Sequence, residues 1–216
     1  MPPQAQARSL LNALQWRYAT QRFDPNRPVD SQAWSALLQC LALAPSSYGL
    51  QPWRCLQVSS AALRRELLSC SYSQTKVVDA ARLLVLAVRT PFGSLDVDEH
   101  FRLLADESGL SATDIEARRR RLVRDLLGRT QEALSHWASN QLYLALGMLI
   151  ESAALLGIDC CPMEGFDAQR YNSLLGLAPL RLHATVVVAL GHRASDDPAA
   201  RLRKIRLPLP DLLVEV

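Results

Sequence analysis

The chain alternates between stretches with apolar residues every three or four positions and short runs that are apolar throughout. Leu10, Leu11 and Leu14 predict a first helix over about Ser9 to Tyr18. Trp34, Leu37, Leu38 and Leu41 predict a second, opened by Asp30 or Ser31 and stopped by Pro45, which lacks an N–H. Arg54 to Ser59 alternates weakly around Cys55, Leu56 and Val58 and reads as a strand. Ser59 or Ser60 opens a short helix carrying Leu63, Leu67 and Leu68, and a polar link from Ser71 to Lys76 follows. Leu83 to Val88 is a continuous apolar run without helix caps, and Ala184 to Leu190 is a second strand candidate, rich in Val. Both are expected strands, and the first is expected to be central and buried on both faces.

Between Pro91 and Arg129 the pattern is weaker. Ser108-Gly109 suggests a break, and Glu116 to Arg129 reads as a helix with Ile115, Leu122, Leu126 and Leu127 on its apolar side. Thr130 to Leu156 is apolar almost all round, as in a helix buried in a core or an oligomer interface. Gly157 suits its C-terminal cap. Ile158 to Met163 is a short apolar run, and Asp167 caps a helix through Tyr171 and Leu174-Leu175. Leu212 to Val216 is strand-like with no local hairpin partner, so a partner subunit's sheet is one place for it. The irregular alternation of helix and strand predicts one mixed domain over 1–216.

Composition changes this picture little. With 49% hydrophobic and 21% charged residues the chain has the mix of a packed globular protein. A net charge of +3 implies no nucleic-acid partner unless the charge is clustered. The polar start Met1 to Gln6 does not read as a signal peptide, and Leu142 to Ile150 falls short of the ~20 residues that span a bilayer. A soluble cytoplasmic protein, not bound to membrane, is therefore expected. The five cysteines have no C-x-x-C spacing, which predicts buried thiols in a reducing compartment and no metal site. Charge does cluster at Arg118 to Arg121 and Arg124. Beside Glu116 and Asp125 this reads as a solvated helix face, or as a patch that attracts an anionic nucleotide. No aromatic residues interleave it for base stacking, so a nucleic-acid partner is not expected. A non-catalytic interaction protein using the Arg118–Arg129 face is the alternative of a different class.

The sequence holds no G-x-S-x-G, H-E-x-x-H, G-x-x-x-x-G-K-[ST] or G-x-G-x-x-G. The groups that remain are dispersed cations (Arg17, Lys76, Lys204 and Arg206) and the loops around Ser46 and Gly165. That set suits a flat, anionic, phosphorylated cofactor better than a metal, because guanidinium and ammonium groups hold phosphate oxygens with charge-assisted hydrogen bonds. Ala44-Pro45-Ser46-Ser47-Tyr48-Gly49-Leu50-Gln51-Pro52-Trp53 stands out as a helix-to-strand turn whose backbone donors have no ladder partner.

This segment resembles the A-P-S-S-x-x-x-Q-P-W segment of the FMN-dependent nitroreductase family. Arg17 to Phe23, Pro162 to Asp167, Lys204 to Pro208 and the Gln141-x-Tyr143…Gly157-x-Asp159 pattern resemble the family in the same order along the chain. The resemblance implies an α+β fold: a mainly antiparallel sheet flanked by helices, in an intertwined homodimer with exchanged C-terminal strands. It implies tightly bound FMN, its phosphate held by Arg17, Lys204 and Arg206, with Lys76 at the pyrimidine edge of the ring. Pro162, Met163, Glu164 and Gly165 would line the ring beside N5, although Met163 reads by itself as a packing residue. Pro45, Ser46 and Ser47 would border the flavin of the second subunit. Tyr18, Ala19, Gln21, Gly49 and Ser73 stand at cofactor positions where other members carry histidine, serine, lysine, asparagine and asparagine. Tyr48, Phe101 and Arg124 are expected to shape the substrate pocket. The implied activity is hydride transfer from NAD(P)H through flavin N5 to a nitroaromatic, quinone or similar acceptor. A small-molecule dehydrogenase or dehalogenase of the same family is the second enzyme reading.

Overall fold

The computed structural model describes residues 3–216; Met1 and Pro2, which begin the polar N-terminal stretch, lie outside them. The elements run α1 (Pro3–Trp16), α2 (Ser31–Ala42), β1 (Trp53–Gln57), α3 (Ala61–Ser69), α4 (Lys76–Asp79), β2 (Arg82–Arg89), α5 (Ser94–Glu107), α6 (Ala112–Leu126), α7 (Gln131–Leu155), β3 (Asp159–Met163), α8 (Ala168–Leu174), β4 (Leu182–Gly191) and α9 (Leu209–Leu212). The four strands form one sheet in the order β1-β2-β4-β3, every neighbouring pair antiparallel. The fold is α+β, as expected.

The apolar runs become the two inner strands for a simple reason. Leu83 to Val88 of β2 and Val186 to Leu190 of β4 are covered on both faces, so these positions must be apolar. On one face Leu84, Leu86, Val88, Val186, Val188 and Leu190 pack against Trp34 and Leu37 of α2 and Leu142 and Leu149 of α7. On the other, Leu83, Val85, Val187 and Ala189 pack against Leu67 of α3, Val77 of α4 and Tyr171 of α8. Because side chains alternate along a strand, Cys160 enters the first cluster and Cys161 the second.

Helix starts follow their caps. Asp30 accepts hydrogen bonds from the N–H groups of Gln32 and Ala33, Ser60 from Leu63, Thr130 from Ala133 and Asp167 from Arg170. Ser111 caps α6, so that helix begins four residues before the expected Glu116. The break near Gly109 is real, with φ +66°. α7 buries Leu134, Trp137, Leu142, Ala145 and Leu149 on one side and exposes Tyr143, Leu144 and Leu155 on the other.

The terminal strand expected at Leu212 to Val216 is not formed within the chain. Pro208 and Pro210 are at home around a helical first turn. Leu209–Leu212 accordingly makes one short helix, and Leu213 to Val216 continues unpaired and exposed.

Candidate functional site

After α1 the chain runs irregularly beside the sheet edge. Ala19 bridges Cys160 of β3, and Phe23 bridges Arg193 just after β4. Gly191 permits this approach: a Cβ there would come within 3.1 Å of both Ala81 N and the Phe23 ring. Asp197, only 2% exposed, ties the Tyr18–Arg22 segment to the C-terminal one. Its carboxylate accepts from the Tyr18 hydroxyl (3.0 Å), the Gln21 N–H (3.0 Å) and, as cap of the next turn, the Ala199 N–H (3.0 Å). Burial pushes the Asp197 carboxyl up, but the Ala199 and Gln21 N–H groups and the Tyr18 hydroxyl outweigh it and hold the group below the usual range.

Between these two segments lies a cleft of about 720 Å³. Its lining carries four cations, Arg17, Arg203, Lys204 and Arg206, and no acidic residue. The Lys204 ammonium reaches back to the carbonyls of Leu14 and Arg17, the end of α1, where a cation is favoured. Burial and then repulsion from Arg17 and Arg206 lower its pKa. Arg17 Nε is buried without a hydrogen-bond partner. Clustered cations and an unsatisfied buried donor suit an oxyanion with several acceptors, such as a phosphate.

Gln21, in the lining of this cleft, links it to a buried cation. The Lys76 ammonium, in a residue only 6% exposed, donates to Gln21 Oε1 at 2.8 Å and to Cys161 Sγ at 3.5 Å. Tyr72 and Ser73 sit in the left-handed region, φ 50° and 59°, and the loop they form packs on the end of β3. There Gln74 Nε2 donates to the Gly165 carbonyl at 2.7 Å. Glu164 accepts from the Tyr143 hydroxyl of α7, and burial, then Glu164, push that phenol up to about 12.

The serine loop lies apart from the cleft lining in the single chain. Ser46 Oγ accepts from Gln51 N–H at 2.9 Å. Ser47 N–H, which has no ladder partner, donates instead to Gln141 Oε1 of α7 at 2.8 Å. Tyr48, Gly49 and Gln51 all hold positive φ, a concentration of backbone strain that favours functional segments. The Tyr48 hydroxyl donates to Asp125 of α6 at 2.8 Å, and Arg124 pairs with the same carboxylate at 3.5 Å. Of the expected pocket residues, Tyr48 and Arg124 therefore converge on one acid. Phe101 instead packs into the core, and so does Met163, because both side chains are apolar and the core lies beneath them.

A second cleft of about 360 Å³ lies between the serine loop and α5. Its Arg54 and Arg89 are already paired with Glu99 at 3.3 and 3.2 Å, so it offers less uncompensated charge. The basic face of α6 is likewise partly neutralised: Arg119 pairs with Asp98, Arg120 with Glu116, and Arg121 with Asp125.

Sequence reasoning missed three members of this arrangement. Arg203 stands next to Lys204 in the same basic run and could have been read from it. Asp197 and Cys161 carry no such signal, since their partners lie far away in sequence.

Residues 14–192 match the family model described as Nitroreductase family. A Staphylococcus aureus protein provisionally named an NAD(P)H nitroreductase is 32% identical over 208 residues, covering 91% of this chain and 92% of that one. A Bacillus subtilis protein provisionally named a nitroreductase superposes with a TM-score of 0.85 at 21% identity, over 99% of this chain and 100% of its own. An Exiguobacterium sibiricum protein solved in complex with FMN has a TM-score of 0.80 at 19% identity, over 96% and 97% of the two chains. The family match over most of the chain and the full-length relative establish that this chain belongs to the nitroreductase family.

Proposed function

We propose that the chain is a single-domain, FMN-dependent NAD(P)H oxidoreductase, working as a cytoplasmic homodimer on a small electron-poor acceptor such as a nitroaromatic or quinone. The observation that carries this reading is the four-cation, acid-free cleft with the unsatisfied Arg17 Nε at its wall. It fits the phosphate of a flavin mononucleotide, and the family relatives and the FMN-bound neighbour support the same cofactor. When bound, the flavin supplies the redox chemistry, taking hydride from NAD(P)H at N5 and passing reducing equivalents to the acceptor.

The protein's own residues have simpler tasks. Arg17, Lys204 and Arg206 hold the phosphate, with Arg203 beside them. Lys76 presents a positive charge where negative charge develops on reduction. Pro162, Glu164 and Gly165 border the ring, and the Tyr143 hydroxyl holds the Glu164 carboxylate in place. Pro45, Ser46, Ser47 and Gly49 are supplied by the partner subunit, consistent with their absence from the cleft lining of their own chain. Tyr48 and Arg124, joined through Asp125, shape the acceptor side. None of these roles needs a side chain as general base.

All five cysteines are free, and among the described residues no helix is long and apolar enough to cross a membrane. The free thiols accord with a reducing compartment.

The test is anaerobic mixing of purified FMN-loaded protein with NADH or NADPH, followed by a panel of nitroaromatic and quinone acceptors. Bleaching of the flavin by the nucleotide and its recovery on adding acceptor are expected. A flavin that stays oxidised with both nucleotides contradicts the proposal.

A further inference from the structure

We propose that Gln21 and Cys161 form a clamp that aims the Lys76 ammonium at the bound cofactor ring, so that these two residues, neither touching the reacting atoms, set how strongly the site favours the reduced ring. The inference rests on the functional reading above. It adds a positioning role that the family assignment does not supply.

An ammonium on a four-carbon stem is mobile unless its donors are engaged. Lys76 has three N–H donors. One goes to Gln21 Oε1 at 2.8 Å and one to Cys161 Sγ at 3.5 Å. Among the described residues it makes no third hydrogen bond, so one donor remains free beside Gln21, which lines the cleft.

Gln21 is itself fixed at three points. Its N–H donates to Asp197 at 3.0 Å, its Nε2 donates to the Ala19 carbonyl at 2.8 Å, and its Oε1 receives Lys76. The amide orientation follows from chemistry, because Lys76 can only donate and the Ala19 carbonyl can only accept. Cys161 is buried in the core cluster beneath β3. Burial keeps it a neutral thiol despite the neighbouring Lys76, so the clamp leaves the ammonium's charge uncancelled.

NAD(P)H becomes NAD(P)⁺ when it gives up hydride, and the ring that receives it gains one negative charge. A cation held in one place is worth more to that charge than one free to swing into solvent, since no reorganisation is needed. Glutamine at position 21 thus directs a single cation.

The test compares wild type with Gln21→Met, Gln21→Glu, Cys161→Ala, Cys161→Ser and Lys76→Met, each loaded with FMN. The two-electron midpoint potential is read against a reference dye, together with the dissociation constants of oxidised and reduced FMN. Lys76→Met and Gln21→Met should each weaken the preference for reduced FMN about tenfold, equivalent to a potential about 30 mV lower. Cys161→Ala should lower it in the same direction. Cys161→Ser, which restores an acceptor, should return it toward wild type. Gln21→Glu, which keeps the acceptor but opposes the charge, should lower the potential at least as much as Gln21→Met, and the Cys161→Ala and Cys161→Ser pair decides the matter if the methionine variant does not fold. Gln21 and Cys161 variants at the wild-type potential, with Lys76→Met lowered, would overturn the clamp alone. Wild-type protein that takes up no FMN would overturn the functional reading and the clamp with it.

Discussion

The energetics of the cleft turn on a few clustered cations, of which Arg17 and Lys204 are half-buried and Arg206 is exposed. Arg17 has a buried Nε with nothing to bond, and Lys204 sits between Arg17 and Arg206 with its pKa lowered by burial and by both neighbours. A phosphate answers all three, and hydrogen bonds to charged groups contribute roughly 1.5–3 kcal/mol each. Arg17→Ala should therefore weaken FMN binding about 10- to 100-fold in a fluorescence titration of apoprotein; an unchanged constant would remove Arg17 from the phosphate site. Asp197 makes a prediction about pH. Its folded pKa is depressed below about 3.8, so its contribution to stability is complete above that value and is lost as pH falls through the folded pKa. Acid unfolding of wild type should be steeper below about pH 4 than that of Asp197→Asn, followed by circular dichroism; parallel acid limbs would contradict this. The cations were legible in the sequence, because Arg17, Lys204 and Arg206 lie in short motifs with their own signature. Asp197 was not legible, since what makes it a hub is the arrival of Tyr18 and Gln21 from the far end of the chain.

Elements were legible where one force decided them. Leu83 to Val88 of β2 and Val186 to Leu190 of β4 are buried on both faces and had to be apolar. The capped starts of α2, α3, α7 and α8 fell at the residues whose side chains can accept from the first turn. The start of α6 was missed because its first turn, Ala112-Thr113-Asp114-Ile115, carries only one large apolar residue, and the expected terminal strand has no neighbour within its own chain, where Leu213 to Val216 runs unpaired. Two predictions belong at this scale. Gly191→Val puts side-chain atoms where a Cβ alone meets Ala81 and Phe23 at 3.1 Å, so it should destabilise the fold by about 1–3 kcal/mol and loosen the Arg17–Phe23 segment packed there. Thermal denaturation checks the first part and FMN affinity the second; a variant as stable as wild type would show that the segment needs no close approach. Tyr48→Ala breaks the link from the serine loop to Asp125 on α6. It should change acceptor preference in steady-state kinetics more than it changes flavin retention, and equal loss of both would count against Tyr48 as a pocket residue.

At the scale of the molecule the unexplained feature is apolar surface. Leu11, Leu14 and Trp16 of α1, Leu144 and Leu155 of α7, and Leu207, Leu209, Leu212, Leu213 and Val214 near the C-terminus are all exposed in the single chain. Apolar area on this scale marks an interaction surface, and a second copy of the chain would cover it while bringing a serine loop to each cleft. Sedimentation should give a dimer, and removal of residues 207–216 should weaken it while leaving Arg17, Lys204 and Arg206 in place. A truncated protein that dimerises as tightly as the full chain would place the interface elsewhere. The central claim, a phosphate-anchored flavin between two subunits, is tested most directly by the visible spectrum of the purified protein, with the released cofactor identified and counted after denaturation. A flavin spectrum and one FMN per chain in the dimer are expected; a colourless dimer that takes up no FMN from excess would rule the phosphate-anchored flavin out.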